Sequence, residues 1–279
     1  MLSTLRQHWP EYLIEAWGLG TFMVSAGGFG TLLFYPESPV YGLIPNPLVR
    51  RVLMGGAMGV TAISLIYSPW GKRSGAHLNP AVTLAFFRLS KLAPWDALGY
   101  GLAQFIGGFI GVGLVALTVG TPFTDLPIDY VVTVPGIWGW PGALLAELTM
   151  AFGLMLMVLV VSNHPRWSPW TGVFSGLLVA TYIILAAPIS GMSINPARTF
   201  ASALSAQVWT AVWIYYFAPP LAMLAAVEVY LRRTRANPRQ LCGKLCPNAE
   251  TPCICTPCCC EVNGAWTAAT RSQKSRARS

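Results

Sequence analysis

Ser74-Gly75-Ala76-His77-Leu78-Asn79-Pro80-Ala81-Val82-Thr83 and Ser190-Gly191-Met192-Ser193-Ile194-Asn195-Pro196-Ala197-Arg198-Thr199 are nearly the same stretch written twice. Each places Asn-Pro-Ala after a short Gly- and Ser-containing run, and each lies between long apolar stretches. Asn caps a helix well, and Pro suits the first helical position because the N–H it lacks would be unpaired there. Asn79 and Asn195 therefore start helices that open with Pro80-Ala81 and Pro196-Ala197. About ten helix-compatible residues follow each Pro, a length of about 15 Å, or half a bilayer. The residues before each Asn read as extended backbone, which is tolerated at membrane depth only where it is buried in protein or lines water.

The surrounding composition fits that depth. The chain is 54% hydrophobic and only 10% charged, against about 25% charged in soluble domains. Stretches near the roughly 20 residues needed to span a bilayer lie at about 12–34, 49–70, 95–118, 141–161, 170–189 and 209–231. Trp9, Trp70, Trp95, Trp140, Trp167, Trp170 and Trp209 fall at or near their ends, as in an interfacial aromatic belt. The N-terminus lacks the pattern of a cleavable signal peptide. The net charge of +8 does not point to nucleic acid, because the basic residues follow the last stretch or sit in alternate connections. Lys72, Arg73, Arg88, Lys91 and Arg166 lie on one side, and the connection 119–140 has only Asp125 and Asp129. The positive-inside bias places both termini in the cytoplasm, with Arg50 and Arg51 the one discord. The expected location is a cell (inner) membrane, crossed several times, with the basic tail meeting lipid.

Each half, about 12–120 and 140–231, holds three spans and one Asn-Pro-Ala segment. An odd number of spans inverts the second half relative to the first. The predicted fold is an all-α membrane protein of six transmembrane helices plus two half-helices in an inverted repeat. Glu15 and Glu147 lie deep in the first span of each half, where a charge is costly unless paired or interior-facing. They read as acceptors for loop N–H groups that lack helical partners. Gly55, Gly56, Gly59, Gly107, Gly108, Gly111, Gly113, Gly172 and Gly176 mark close helix crossings.

Half-helices entering from opposite faces bring both N-termini to the centre, where their positive dipole ends converge. Carboxamide donors of Asn79 and Asn195 there take both lone pairs of one water and turn its hydrogens away along the passage. Neutral solutes pass and charge does not. Gly75, Ala76, His77, Gly191 and Ser193 belong to the extended runs whose carbonyls would form an acceptor ladder. His77 reads as a hydrogen-bonded loop residue, with a pH gate as the alternative.

On these two motifs, the Glu-initiated repeats, Gln104 and Pro219, residues 12–231 resemble the aquaporin, or major intrinsic protein, family, in a bacterial-type water or small-solute channel. The resemblance implies a channel domain over 12–231, a cytoplasmic N-terminus at 1–11, and a homotetramer with one pore per protomer. It also implies a filter formed by Arg198, Met192, Ile183 and a fourth position at Met58 or Gly59. Ile183 stands where strict water channels have His, and Thr199 stands where glycerol channels have Asp. Water is the first solute expected; glycerol, hydrogen peroxide and ammonia are the alternatives. The segment Pro69-Trp70-Gly71-Lys72-Arg73 departs from the family pattern and is one residue longer.

All seven cysteines, Cys242, Cys246, Cys253, Cys255, Cys258, Cys259 and Cys260, lie in the basic tail 232–279, which reads as disordered. Stable disulfides are not expected in the cytosol. Clustered thiolates suit Zn or Cu(I), but their spacing is irregular; a reactive or lipid-modified tail, or one with no specific role, stays open. No required cofactor is expected. An enzyme is not expected either, since no nucleophile–base set lies outside the tail. A structural membrane-junction protein and a secondary transporter are the remaining rivals.

Overall fold

The computed structural model describes residues 2–248, 251, 254 and 255. Cys253, Cys258, Cys259 and Cys260 lie outside them, so the expectations for these positions are not addressed by the structure. Among the described residues there is no strand, and six helices are long and apolar enough to cross a membrane. We label the main helices α1 (Leu2–Phe34), α2 (Pro47–Tyr67), α3 (Pro80–Arg88), α4 (Pro94–Val119), α5 (Gly139–Ser162), α6 (Thr171–Ser190), α7 (Pro196–Ala206) and α8 (Trp213–Thr234). α3 and α7 are the two short ones, of 9 and 11 residues.

Two boundaries differ from the expectation. The first helix begins at Leu2 and runs through Pro10, so residues 2–11 are continuous with the helix of the first span. The last begins at Trp213, because residues 208–209 are irregular and 210–212 form a turn before it. The start of α2 uses the same device as the two motifs. Asn46 precedes Pro47, and its Oδ1 accepts from Leu48 N at 2.9 Å and Val49 N at 3.3 Å.

The extensive pairings are α1 with α4, α5 with α8 and α2 with α6. The first two are equivalent within the halves; the third joins them. Small residues set these distances. A Cβ on Gly107 would lie 2.0 Å from Ala16 O, and one on Gly111 2.3 Å from Gly20 O, so α1 and α4 cross backbone to backbone. Between α2 and α6, a Cβ on Gly59 would meet Gly176 O at 2.7 Å, and the reverse contact is 2.6 Å. Gly56 and Gly113 meet nothing within 4 Å and are not crossing points.

Arg50 explains its own discord. It is buried, donates through Nη1 to Ile44 O (3.1 Å) and Tyr41 O (3.4 Å), and stacks 3.9 Å above the Tyr41 ring. A guanidinium held by carbonyls and π faces is not a free loop cation.

The described tail also departs from the expected disorder. Leu241, Cys242, Lys244, Leu245, Cys246 and Asn248 are buried, and Leu241, Leu245 and Cys246 join the apolar cluster that contains Phe86, Ala226 and Val227. Cys242 is disulfide-bonded, against the expectation for a reducing compartment.

Candidate functional site: a conduit where two helix tips meet

α3 and α7 meet at their N-termini. The Asn79 carboxamide accepts from Ala81 N (2.9 Å) and donates through Nδ2 to Ile194 O (2.7 Å). The Asn195 carboxamide accepts from Ala197 N (3.1 Å) and Arg198 N (3.2 Å) and donates through Nδ2 to Leu78 O (2.8 Å). Each cap therefore ties its own helix to the other half's loop. The oxygens face helix N–H groups, which fixes the amide orientation and leaves one Nδ2 hydrogen on each for a ligand.

The loops leading to both tips are held in the same unusual shape. Gly75, Ala76 and Leu78 have φ of 95°, 53° and 50°; Gly191, Met192 and Ile194 have 72°, 50° and 47°. Non-glycine residues in the left-handed region cost on the order of 1–3 kcal/mol each and persist only where their surroundings over-determine them. Glu15 and Glu147, both fully buried, provide that. Glu15 Oε1 accepts from Ser74 Oγ (2.7 Å) and His77 N (3.1 Å), and Oε2 from Leu78 N (2.6 Å) and Gln104 Nε2 (2.8 Å). Glu147 Oε1 accepts from Ser190 Oγ (2.9 Å) and Ser193 N (2.9 Å), and Oε2 from Ile194 N (2.6 Å). Tyr100 and Tyr215 complete the symmetry, donating to Ser74 O and Ser190 O at 2.6 Å each. The sequence reading did not find this role for either tyrosine. Their matched spacing to the motif serines (26 and 25 residues) was the available signal.

A cavity of about 300 Å³ runs past both tips and is mostly apolar. Asn79, Asn195, Arg198, Met192, Ile183 and Met58 line it, together with Ala76, His77, Gly191 and Ser193. Gly59 does not; it lies in the α2–α6 crossing, so of the two candidates for the fourth position Met58 is the one in the wall. Gly75 stands behind the wall, with its carbonyl accepting from Leu245 N at 3.0 Å. Pro80, Ala81, Pro196 and Ala197 form the helix starts behind the caps.

Each mouth is bordered by a segment from the opposite half. After α4, the connection reaches the second half's loop: Gly136 N and Ile137 N donate to Ile189 O (2.9 Å) and Pro188 O (3.0 Å), and Arg198 Nη1 donates to Thr133 Oγ1. Thr133 is buried, and nothing in its local sequence marks it. Arg51 also lines this end. At the other end, His77 is buried between Thr83 Oγ1 (3.2 Å from Nδ1) and the tail's Gly243 O (3.1 Å from Nε2). A carbonyl only accepts, so Nε2 carries the proton; in the neutral ring, Nδ1 then takes the Thr83 hydroxyl. Among the described residues, no group of three or more His, Cys, Asp or Glu is arranged to hold a metal.

Paired donors at the middle of an apolar conduit, guarded by a guanidinium, suit passage of an uncharged polar molecule; they offer no nucleophile. The sequence pattern described as "Major intrinsic protein" matches residues 7–230. The chain is similar to a probable aquaporin NIP-type from Nicotiana alata, at 32% identity over 80% of this chain and 78% of that one. It is also similar to Aquaporin AqpM of Methanothermobacter marburgensis, at 32% identity over 71% of this chain and 85% of that one. Its fold resembles the solved aquaglyceroporin from Plasmodium falciparum, with a TM-score of 0.63 and 21% identity over 80% of this chain and 95% of that one. With the half-helices, the inverted repeat and these matches together, the chain belongs to the major intrinsic protein family of membrane channels.

Proposed function

We propose that this protein is a passive water channel that excludes protons and ions. The observation that carries this reading is the reciprocal pair of carboxamides, Asn79 and Asn195, at the meeting of two helix N-termini inside an apolar conduit. Their free Nδ2 hydrogens orient a water oxygen, and the converging dipoles oppose a cation or a hydronium ion. Arg198, with Met192, Ile183 and Met58, forms the filter, and Thr133 positions the guanidinium.

The apolar wall favours a second reading. Ile183 and Met192 bring methyl and thioether groups to the constriction, and no imidazole stands beside Arg198. Such a wall accepts the carbon face of a small neutral solute such as glycerol while Arg198 donates to its hydroxyls. Protomers assemble as a homotetramer in a cell membrane, with both termini cytoplasmic as the charge distribution directs.

Stopped-flow light scattering on proteoliposomes separates the readings. Fast shrinkage in an impermeant osmolyte, with slow re-swelling in glycerol, supports the water channel. Re-swelling accelerated by the protein supports the wider filter. Permeability equal to that of empty vesicles in both media, for the full chain and for a chain ending at Ala236 alike, overturns the channel reading.

A further inference from the structure

We propose that residues 241–248 are an autoinhibitory plug seated in the tail-side mouth of the conduit, so that the full chain conducts only when this segment leaves. The inference rests on the channel reading and concerns its control. Among the described tail residues Leu245 lies in the conduit wall, which it lines together with Ile66, Ala76, His77 and Leu154. Its backbone N–H occupies Gly75 O at 3.0 Å, a carbonyl of the loop that leads to Asn79. Gly243 O takes the Nε2 proton of His77, so two backbone groups of the tail, two residues apart, engage the pore loop at Gly75 and His77.

A second set of bonds anchors the segment to the linker that departs from the family pattern. Residues 69–74 form a short helix capped by Ser68, whose Oγ accepts from Gly71 N at 2.9 Å. Lys72 O, near its end, accepts from Lys244 Nζ (2.9 Å), Asn248 Nδ2 (3.1 Å) and Thr251 Oγ1 (3.0 Å). On the other flank, Cys242 N donates to Asn163 Oδ1 at 2.7 Å, just beyond α5. The linker and the tail thus fit each other, and Lys244, a residue type rarely buried, is fully enclosed between them.

The inverted repeat gives the plug its counterpart. The tail follows α8 as the connection 120–138 follows α4, and each crosses to the other half's pore loop. The connection is covalently fixed at both ends. The tail segment joins the bundle at Thr234, the end of α8, so it can leave the mouth without unfolding a helix.

The test compares water permeability of the full chain, a chain ending at Ala236, and Gly243→Val in proteoliposomes, with helix content checked by circular dichroism. A Cβ on Gly243 would lie 2.9 Å from Lys91 Cβ and 3.1 Å from Cys255 Sγ, so valine there wedges the segment out. If the plug is seated in about 90% of molecules, both variants conduct about tenfold faster than the full chain. Equal rates above those of empty vesicles in all three, or slower rates in the variants, overturn the plug. Acylation of Lys244 by a water-soluble amine reagent, read by mass spectrometry, supplies an independent measure. Lys244 is protected in the full chain and reactive in Gly243→Val; equal labelling overturns the plug even if no chain conducts and the channel reading itself has failed.

Discussion

Glu147→Gln tests whether the carboxylate behind the second loop sets the shape of the conduit. Glu147 accepts three hydrogen bonds, from Ser190 Oγ, Ser193 N and Ile194 N. Glutamine keeps the volume but has one accepting oxygen. In its cheaper orientation the new NH₂ faces Ile194 N–H, which is then a buried donor without an acceptor. That costs about 1–3 kcal/mol, and the two bonds that remain lose their charge assistance, about 1 kcal/mol each. The sum is about 3–5 kcal/mol, enough to release the left-handed backbone at Met192 (φ 50°) and Ile194 (φ 47°). Ile194 O would then no longer be positioned for Asn79 Nδ2, so damage in one half reaches the other's cap. At roughly 2–4 °C per kcal/mol for a chain of this size, the detergent-solubilised variant melts at least about 6 °C lower, and its water permeability falls with it. A variant that melts within 1–2 °C of the parent and conducts normally would show that Glu147 is a bystander.

Further outcomes follow from the same geometry. Asn195→Ala removes a cap worth about 0.5–2 kcal/mol and the bond to Leu78 O, so thermal stability drops and conduction, read by light scattering, is largely lost. Arg198→Ala leaves the helix intact but removes the guanidinium from the wall; glycerol re-swelling and proton leak, read with an entrapped pH dye, both rise. Gly111→Leu and Gly113→Leu form a contrasting pair two residues apart on α4. The first drives a Cβ to 2.3 Å from Gly20 O and yields aggregated protein on size-exclusion chromatography, whereas the second meets nothing within 4 Å and elutes as the parent does.

The parts of this molecule that were legible in the sequence are those governed by length, period and caps. Apolar runs of bilayer length gave the six spans, and Asn-Pro fixed the half-helix starts because the two residues do one local job. The buried acceptors were legible because a lone carboxylate in an apolar run must meet donors. Contacts that depend on distant loops were not. Thr133 reaches Arg198 across 65 residues, and no local pattern announces it. The tail 232–279 read as disordered, yet Leu241 and Leu245 find an apolar seat that only the folded bundle creates. Of the glycines, Gly107 and Gly113 look alike in the sequence; only the position of α1 decides which one touches.

The crossed bonds from each carboxamide to the other half's loop are the pattern of an isologous contact, in which the same two groups meet twice about a two-fold axis. Two free copies of one such half could have made that contact as a dimer before any peptide joined them. In the present chain it means that synthesis of the first 120 residues leaves Leu78 O and the Asn79 amide waiting for partners at the second tip. The lumen is therefore a late product of assembly, and neither half owns a complete wall.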